Sequence, residues 1–226
     1  MNRLTRITAA LAVGWSLSAG AAQLSFPTDV VGPYTLRVTS LKEARHLGTI
    51  QQQYDFSCGS AALATLLTHH YGYAVTEQVV FRVMYLRGDQ AKIRREGFSL
   101  LDMKNFLAAN GFASDGFEAP LEALTKAKVP AIALVSEMGY HHFVVIKGLQ
   151  DGRVLIGDPA RGTRAVSRSA FEAMWHNKIL FVIKNHLEAA RFNRAADWRV
   201  APRAPLEAGL RGLPNAIPAM RAVSDF

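Results

Sequence analysis

Cys58 is the sole cysteine among 226 residues, and it stands at a change of character in the chain. The polar stretch Gln52-Gln53-Tyr54-Asp55-Phe56-Ser57 precedes it, and the small, apolar run Gly59-Ser60-Ala61-Ala62-Leu63-Ala64-Thr65-Leu66-Leu67 follows. That run is long enough for a buried helix, so the thiol is expected in its first turn. There the unpaired backbone N–H groups and the positive end of the helix dipole favour thiolate, the nucleophilic form. Free cysteines are often only small buried hydrophobes, so the case for chemistry rests on what accompanies this one. A thiolate nucleophile needs a base, a group that orients the base, and donors for the oxyanion. His141 and His142 head the apolar run Phe143-Val144-Val145-Ile146, and Asp158 closes Ile156-Gly157-Asp158-Pro159. Strand side chains alternate between faces, so only one of the two histidines can meet the helix start. Asp151-Gly152, lying between the two runs, is a hairpin signal. Such a hairpin lays a His and Asp158 side by side near one end of a sheet, where the carboxylate can fix the imidazole tautomer. An Asp-Pro step also simply starts turns.

The elements that must position these groups can be read from periodicity and punctuation. Tyr34 to Thr39 alternates as a half-buried strand, and Ser40 to Gly48 reads as a helical turn. The helix opened by Cys58 should run to about His70, apolar nearly all round and therefore central, with Gly72 ending it. Thr76 caps a second helix to about Leu86, with Val79, Val80, Val83 and Met84 on its inner face. A charged link follows from Arg87 to Gly97. Ser99-Leu100-Leu101-Asp102 resembles a capping box for a helix ending before Gly111. Pro120 begins a short helix to Lys128. Val129 to Val135, His142 to Leu149, Arg153 to Gly157 and Lys178 to Lys184 are short β-branched runs between glycine turns, hence strands. Ser169-Ala170-Phe171-Glu172 is read as another capping box, heading a helix towards His176. A helical first half and an antiparallel second half predict an α+β fold.

Bulk properties set the setting. Arg3 and Arg6 precede the uncharged run Ile7 to Ala22, and Ala19-Gly20-Ala21 and Gly20-Ala21-Ala22 fit a small-x-small cleavage site, the pattern of a secretory signal. The run is shorter than the roughly 20 apolar residues of a spanning helix. The expected domains are a signal peptide over 1–22, one catalytic domain over 23–190, and a basic, Pro- and Ala-rich tail over 191–226. Exported proteins that use cysteine for stability carry even numbers, so a lone thiol calls for a chemical explanation. The formal charge of +8 excludes little by itself. No aromatic-interleaved basic stripe points to nucleic acid, and attraction to anionic surfaces or acidic polypeptides suffices. No His-Glu-x-x-His or paired-Cys spacing supports a metal, and no cofactor is expected. His69, His70 and His176 read as capping or surface residues, and Tyr71, Tyr73, Phe81 and Tyr85 as core.

Gln52-x5-Cys58-Gly59, His142-Phe143-Val144-Val145 and Asp158-Pro159 together resemble the papain-like peptidases that remove double-glycine leaders. These are best known as the N-terminal domain of bacteriocin-exporting ABC transporters. The resemblance covers about Gln51 to Lys184. It implies a papain-like fold, Cys58 as nucleophile, His142 as base and acid, Asp158 as orienter and Gln52 as oxyanion donor. Ser57 stands where the transporter domains usually carry Asp. The segment Tyr54-Asp55-Phe56-Ser57-Cys58-Gly59 and the run Gly97 to Lys104 look more like stand-alone exported members, such as the peptidase found with functional-amyloid (Fap) secretion systems. The signal predicts a periplasmic product with no membrane span once it is removed, and the resemblance further implies a cysteine peptidase that cuts a co-secreted, extended polypeptide and works beside export machinery. A catalytically silent module that binds exported polypeptides, or an acyl transferase or amidase on the same scaffold, shares these residues.

Overall fold

A computed structural model describes residues 23–26, 34–37, 39–137 and 139–202. The signal-like segment 1–22 and the tail 203–226 lie outside the described residues. Strands β1 (Gln23–Phe26) and β2 (Tyr34–Arg37) pair antiparallel in a unit of their own.

The main unit begins with α1 (Leu41–His46). Helix α2 (Cys58–Thr65) opens at the cysteine and continues as a π-helical turn through His70. Every residue of α2 is buried, as its all-round apolar composition requires. Gly72 then leaves the helix at φ +70°, a conformation open to glycine without strain. Thr76 caps α3 (Glu77–Arg87) by accepting from the Val79 N–H. Its buried face is Glu77, Val80 and Met84, an i, i+3, i+7 row. Val79 stands off that row and is half exposed, a correction to its expected inward place.

The charged link 87–97 holds a helix, α4 (Gln90–Glu96), that its polarity conceals. Asp89 caps it through the Lys92 N–H, and Ile93 alone is buried. Helix α5 (Leu100–Ala109) carries the full reciprocal capping box of Ser99 and Asp102. Strand β3 (Ser114–Glu118) and α6 (Glu122–Ala127) follow. Then come β4 (Ala131–Glu137), β5 (Tyr140–Gln150), β6 (Arg153–Asp158) and β7 (Gly162–Ser167). Helix α7 (Arg168–Met174) and β8 (Ile179–Ile183) complete the sheet's cover and its last strand. The cap of α7 is Ser167, which accepts from Ala170 N–H, rather than the expected Ser169. The chain comes straight off β7 into the helix, so the last strand residue serves as cap.

The six main strands form one antiparallel sheet in the order β3-β8-β4-β5-β6-β7. Two of them, β3 and β7, go beyond the strands expected from sequence, because Ser114-Asp115-Gly116 and Gly162-Thr163-Arg164 lack the apolar runs that announce a strand. The two faces of the sheet carry separate cores. Ile132, Phe143, Val145, Phe181 and Ile183 pack against α2, α3 and α5. Ala133, Val135, Val144, Ile146, Val154 and Ile156 pack beneath Leu124 of α6, Phe171 of α7 and Trp175 at the end of α7. Alternation along β5 therefore stitches two cores through one strand.

Residues 191–202, assigned to the tail by composition, lie against this unit. Arg191 N–H bonds the His70 carbonyl, and Asn193 N–H bonds that of Lys147. Helix α8 (Ala195–Trp198) buries Trp198 beneath the guanidinium of Arg153. His70 is itself buried, not the surface residue expected: its Nδ1–H donates to the Arg191 carbonyl at 2.6 Å. Burial and the nearby Lys147 charge hold its pKa down at about 4. Tyr71 is core as expected, whereas Tyr73 is substantially exposed.

Candidate active site

The site is built where the first turn of α2 meets β5. Helix α2 can approach α5 and Phe98 just ahead of it this closely because position 59 is glycine. A Cβ there would stand 2.9 Å from the Phe98 side chain and 3.0 Å from that of Met103, with the Phe143 ring at 3.6 Å. The thiol of Cys58 is buried and faces the backbone N–H groups of Phe143, Gly59 and Cys58 itself. Burial nevertheless dominates and pushes the thiol pKa up, and the Asp158 charge adds to the rise. The helix start alone does not make a thiolate here, contrary to the simplest reading of the sequence. A proton acceptor must supply what the dipole does not.

A candidate acceptor stands one residue from Phe143. His142 is buried at the head of β5, directly across from Val135 of β4. Its Nε2 lies 3.4 Å from Asp158 Oδ2, and its Nδ1 has no hydrogen-bond partner. His141 points to the other face, is exposed, and sets its ring centroid 4.3 Å from that of His176, the two planes tilted by 36°. Alternation thus separates the two histidines, and Asp158 belongs with His142.

The hairpin that joins them has the predicted two-residue turn. Asp151 and Gly152 both take positive φ, at 52° and 67°, between β5 and β6. Asp158 is fully buried at the end of β6. Its Oδ1 accepts from the Ala160 and Arg161 backbone N–H groups at 3.0 and 3.3 Å. Its Oδ2 accepts from Arg164 Nε and Nη2 at 3.2 and 3.1 Å. Burial alone would raise this carboxyl, but its bond to His142, the charges of His142 and Arg164 and the Ala160 N–H outweigh that and bring it to about 2. It is therefore anionic at any working pH.

Gln52 sits on the loop ahead of the cysteine, tied to the same corner by its backbone N–H, which donates to the Pro159 carbonyl at 3.1 Å. Its side-chain amide donates to the Tyr54 and Asp55 carbonyls at 3.1 and 3.4 Å. Ser57 fastens the same loop, its hydroxyl exchanging bonds with the Tyr54 backbone. All four residues singled out from sequence, Cys58, His142, Asp158 and Gln52, thus converge on one corner. A groove of about 660 Å³, lined by Ile50, Gln51, Gln53, Tyr73, Val75 and Val79 among others, flanks the loop without reaching Cys58, His142 or Asp158.

Three further residues meet there that sequence reasoning passes over. Tyr140 stacks on His142 with ring centroids 5.9 Å apart, and its hydroxyl donates to the Asp55 carbonyl at 2.6 Å. Its place two residues before His142 is the signal that could have found it. Arg164 and Glu137 come from β7 and β4, and only the tertiary structure reveals that Arg164 bonds Asp158 and that Glu137 reaches it through Arg164.

Comparison with known proteins bears on the family and the fold. The family described as peptidase C39 matches residues 46–186. A Pseudomonas fluorescens protein named probable functional amyloid protease FapD is 37% identical over 183 residues, spanning 81% of this chain and 80% of that one. The Pseudomonas aeruginosa protein of the same name is 38% identical over 168 residues, 74% of each. Among solved structures, the peptidase domain of Streptococcus ComA, a bi-functional ABC transporter, superposes with a TM-score of 0.51. It is 21% identical, and the match covers 61% of this chain and 98% of that domain. That likeness bears on the fold, which is the papain-like α+β arrangement described above.

Proposed function

The chain belongs to the peptidase C39 family and is a cysteine peptidase, and from that premise we propose that Cys58, His142, Asp158 and Gln52 carry its chemistry. The observation that supports this most is the meeting of the chain's one thiol with the buried His142–Asp158 pair at the start of a buried helix.

In this reading the free Nδ1 of His142 takes the proton from the Cys58 thiol, while Nε2–H stays on Asp158. Sγ then attacks the peptide carbonyl carbon, and the electron pair moves to the carbonyl oxygen. The Cys58 backbone N–H and the Gln52 amide stabilise that oxyanion. For this the Gln52 amide turns from the Asp55 carbonyl, the longer of its two bonds. Collapse breaks the C–N bond, and the leaving amine collects the proton held at Nδ1. Water, deprotonated by the same nitrogen, then hydrolyses the thioester and frees Sγ. Asp158 remains anionic throughout and stabilises the imidazolium without itself taking a proton. Nδ1 and the thiol are not hydrogen-bonded in the resting site, a looseness common before substrate closes it.

The substrate in this proposal is an exported polypeptide entering the cleft as an extended strand, with small residues before the scissile bond. The relatives named as functional amyloid proteases support a secreted substrate. The signal-like segment 1–22 supports a periplasmic location. Among the described residues no helix is long and apolar enough to cross a membrane. The test is incubation of the wild-type chain and Cys58→Ala with polypeptides secreted by the same cell, read by mass spectrometry. Cleavage by wild type alone, at a fixed bond, supports the proposal, and intact polypeptides with both would leave only binding. Gln52→Ala should lower kcat on the cleaved substrate about a hundredfold, with KM little changed.

A further inference from the structure

The carboxylate that orients His142 is itself held by a cation. Asp158 Oδ2 receives both the imidazole, at 3.4 Å, and two N–H groups of Arg164, at 3.1 and 3.2 Å. The guanidinium contacts are the shorter ones, so Arg164 fixes the carboxylate and His142 takes the remaining approach. Arg164 is in turn anchored: its Nη2 donates to Glu137 Oε1 at 2.6 Å, and Arg161 Nη1 closes on Glu137 Oε2 at 2.5 Å. Arginine's planar fork suits such a shared site, where a lysine would present one point charge.

We propose that Arg164 is a positioning residue for the His142–Asp158 pair, and that the Arg164–Glu137 balance sets the pH at which the His142 imidazolium loses its proton. This rests on the assignment of His142 and Asp158 given above. The charged and titratable groups facing the pair can be named from every element around it. They are Cys58 from α2, Tyr140 on β5 itself, Glu137 from β4, Arg161 from the β6–β7 turn and Arg164 from β7. With His142 neutral, Asp158 and Glu137 offset the two arginines. Protonating His142 therefore adds a charge beside a cation that already occupies its counter-ion. Removing Arg164 should strengthen the hold of Asp158 on the imidazolium. Removing the Glu137 charge leaves Arg164 less neutralised and should weaken that hold. The two substitutions act in opposite directions, which a merely structural ion pair would not require.

The thiol itself provides the readout, because Cys58 is the only cysteine and uncharged iodoacetamide reports that one site. The alkylation rate of the full chain, followed from pH 4 to 9, should show an upper step where the imidazolium paired with the thiolate loses its proton. Arg164→Gln should move that step up by about half a unit to one unit. Glu137→Gln should move it down by less. Arg164→Lys keeps the charge and should leave the step close to its wild-type position while lowering kcat on any cleaved polypeptide severalfold. Steps that stay in place in both Arg164→Gln and Glu137→Gln, with only the melting temperature changed, would overturn the proposal. So would shifts of the same sign, or a step in Arg164→Lys displaced as far as in Arg164→Gln. Should Arg164→Gln fail to fold, Glu137→Gln decides alone, since it leaves the Asp158–Arg164 contacts in place. His142→Ala should abolish the step altogether. A step that survives there would remove His142 from the reaction, a separate failure from that of Arg164.

Discussion

His142 and Lys147 leave the same strand and both end in buried ionic clusters, yet the two clusters are built differently. Lys147 is fully buried, and its ammonium donates to the Gly48 carbonyl at 2.9 Å, to Asp197 Oδ1 at 3.1 Å and to Thr163 Oγ1 at 3.2 Å. Those partners use all three of its protons. Thr163 is held further by Thr49, and only Asp197 Oδ2 lacks a partner. Burial lowers the Lys147 pKa, with the Asp197 charge opposing. His142 has one long hydrogen bond, at 3.4 Å, and an Nδ1 without a partner. A buried group with every bond made can only hold the structure together. A vacant nitrogen alone does not mark a catalytic base, since buried His70 also has one at Nε2; His142 differs in being paired with the buried Asp158 carboxylate. The Lys147 cluster ties the C-terminal segment 187–202 to the sheet, and the His142 cluster lies at the end of the sheet where α2 begins with Cys58.

The contrast can be broken by substitution, taken from the largest expected effect down. Cys58→Ala and His142→Ala should each abolish turnover, by at least about ten-thousandfold in kcat, because nucleophile and base act as a unit. Circular dichroism of both variants should match wild type. Asp158→Asn should lower kcat by about a thousandfold or more with little change in KM, since an amide cannot stabilise the imidazolium or hold the tautomer. Wild-type turnover in that variant would detach the carboxylate from the reaction.

At the saturated cluster the loss should appear in stability instead. Lys147→Met strands Asp197 and should cost about 3 kcal/mol in urea unfolding, with the alkylation rate of Cys58 unchanged at pH 6. A slowed thiol without lost stability would erase the distinction between the two clusters. The smallest effect belongs to His141→Ala, which should keep kcat within about twofold because strand alternation turns that ring away to His176.

Local rules carried much of this. The abrupt passage from polar to small, apolar residues located the helix start at Cys58, and Thr76, Ser99 and Asp102 announced their caps. The Asp151-Gly152 turn made neighbours of the strands bearing His142 and Asp158. Each of these signals spans a few residues and depends on backbone conformation or side-chain period. The same rules failed where a segment's character is set by distant partners. Helix α4 hides in a charged run because a single residue, Ile93, anchors it. Strands β3 and β7 have little apolar patterning because the partners on the sheet, rather than their own side chains, hold them in place.

Residue types, their order and their spacing by themselves determined an α+β chain with one nucleophile candidate, and the family resemblance narrowed the two histidines to His142. Only the tertiary structure decided that Arg164 bonds Asp158 and Glu137 bonds Arg164, that Tyr140 covers His142, and that Lys147 and His70 are buried. The reason is physical. Spacing along a helix or strand fixes which side chains share a face, but which strand lies beside which is decided by packing the whole sheet. The ionisation of Cys58, Asp158 and His70 depends on how much water that packing removes and which charges it leaves nearby.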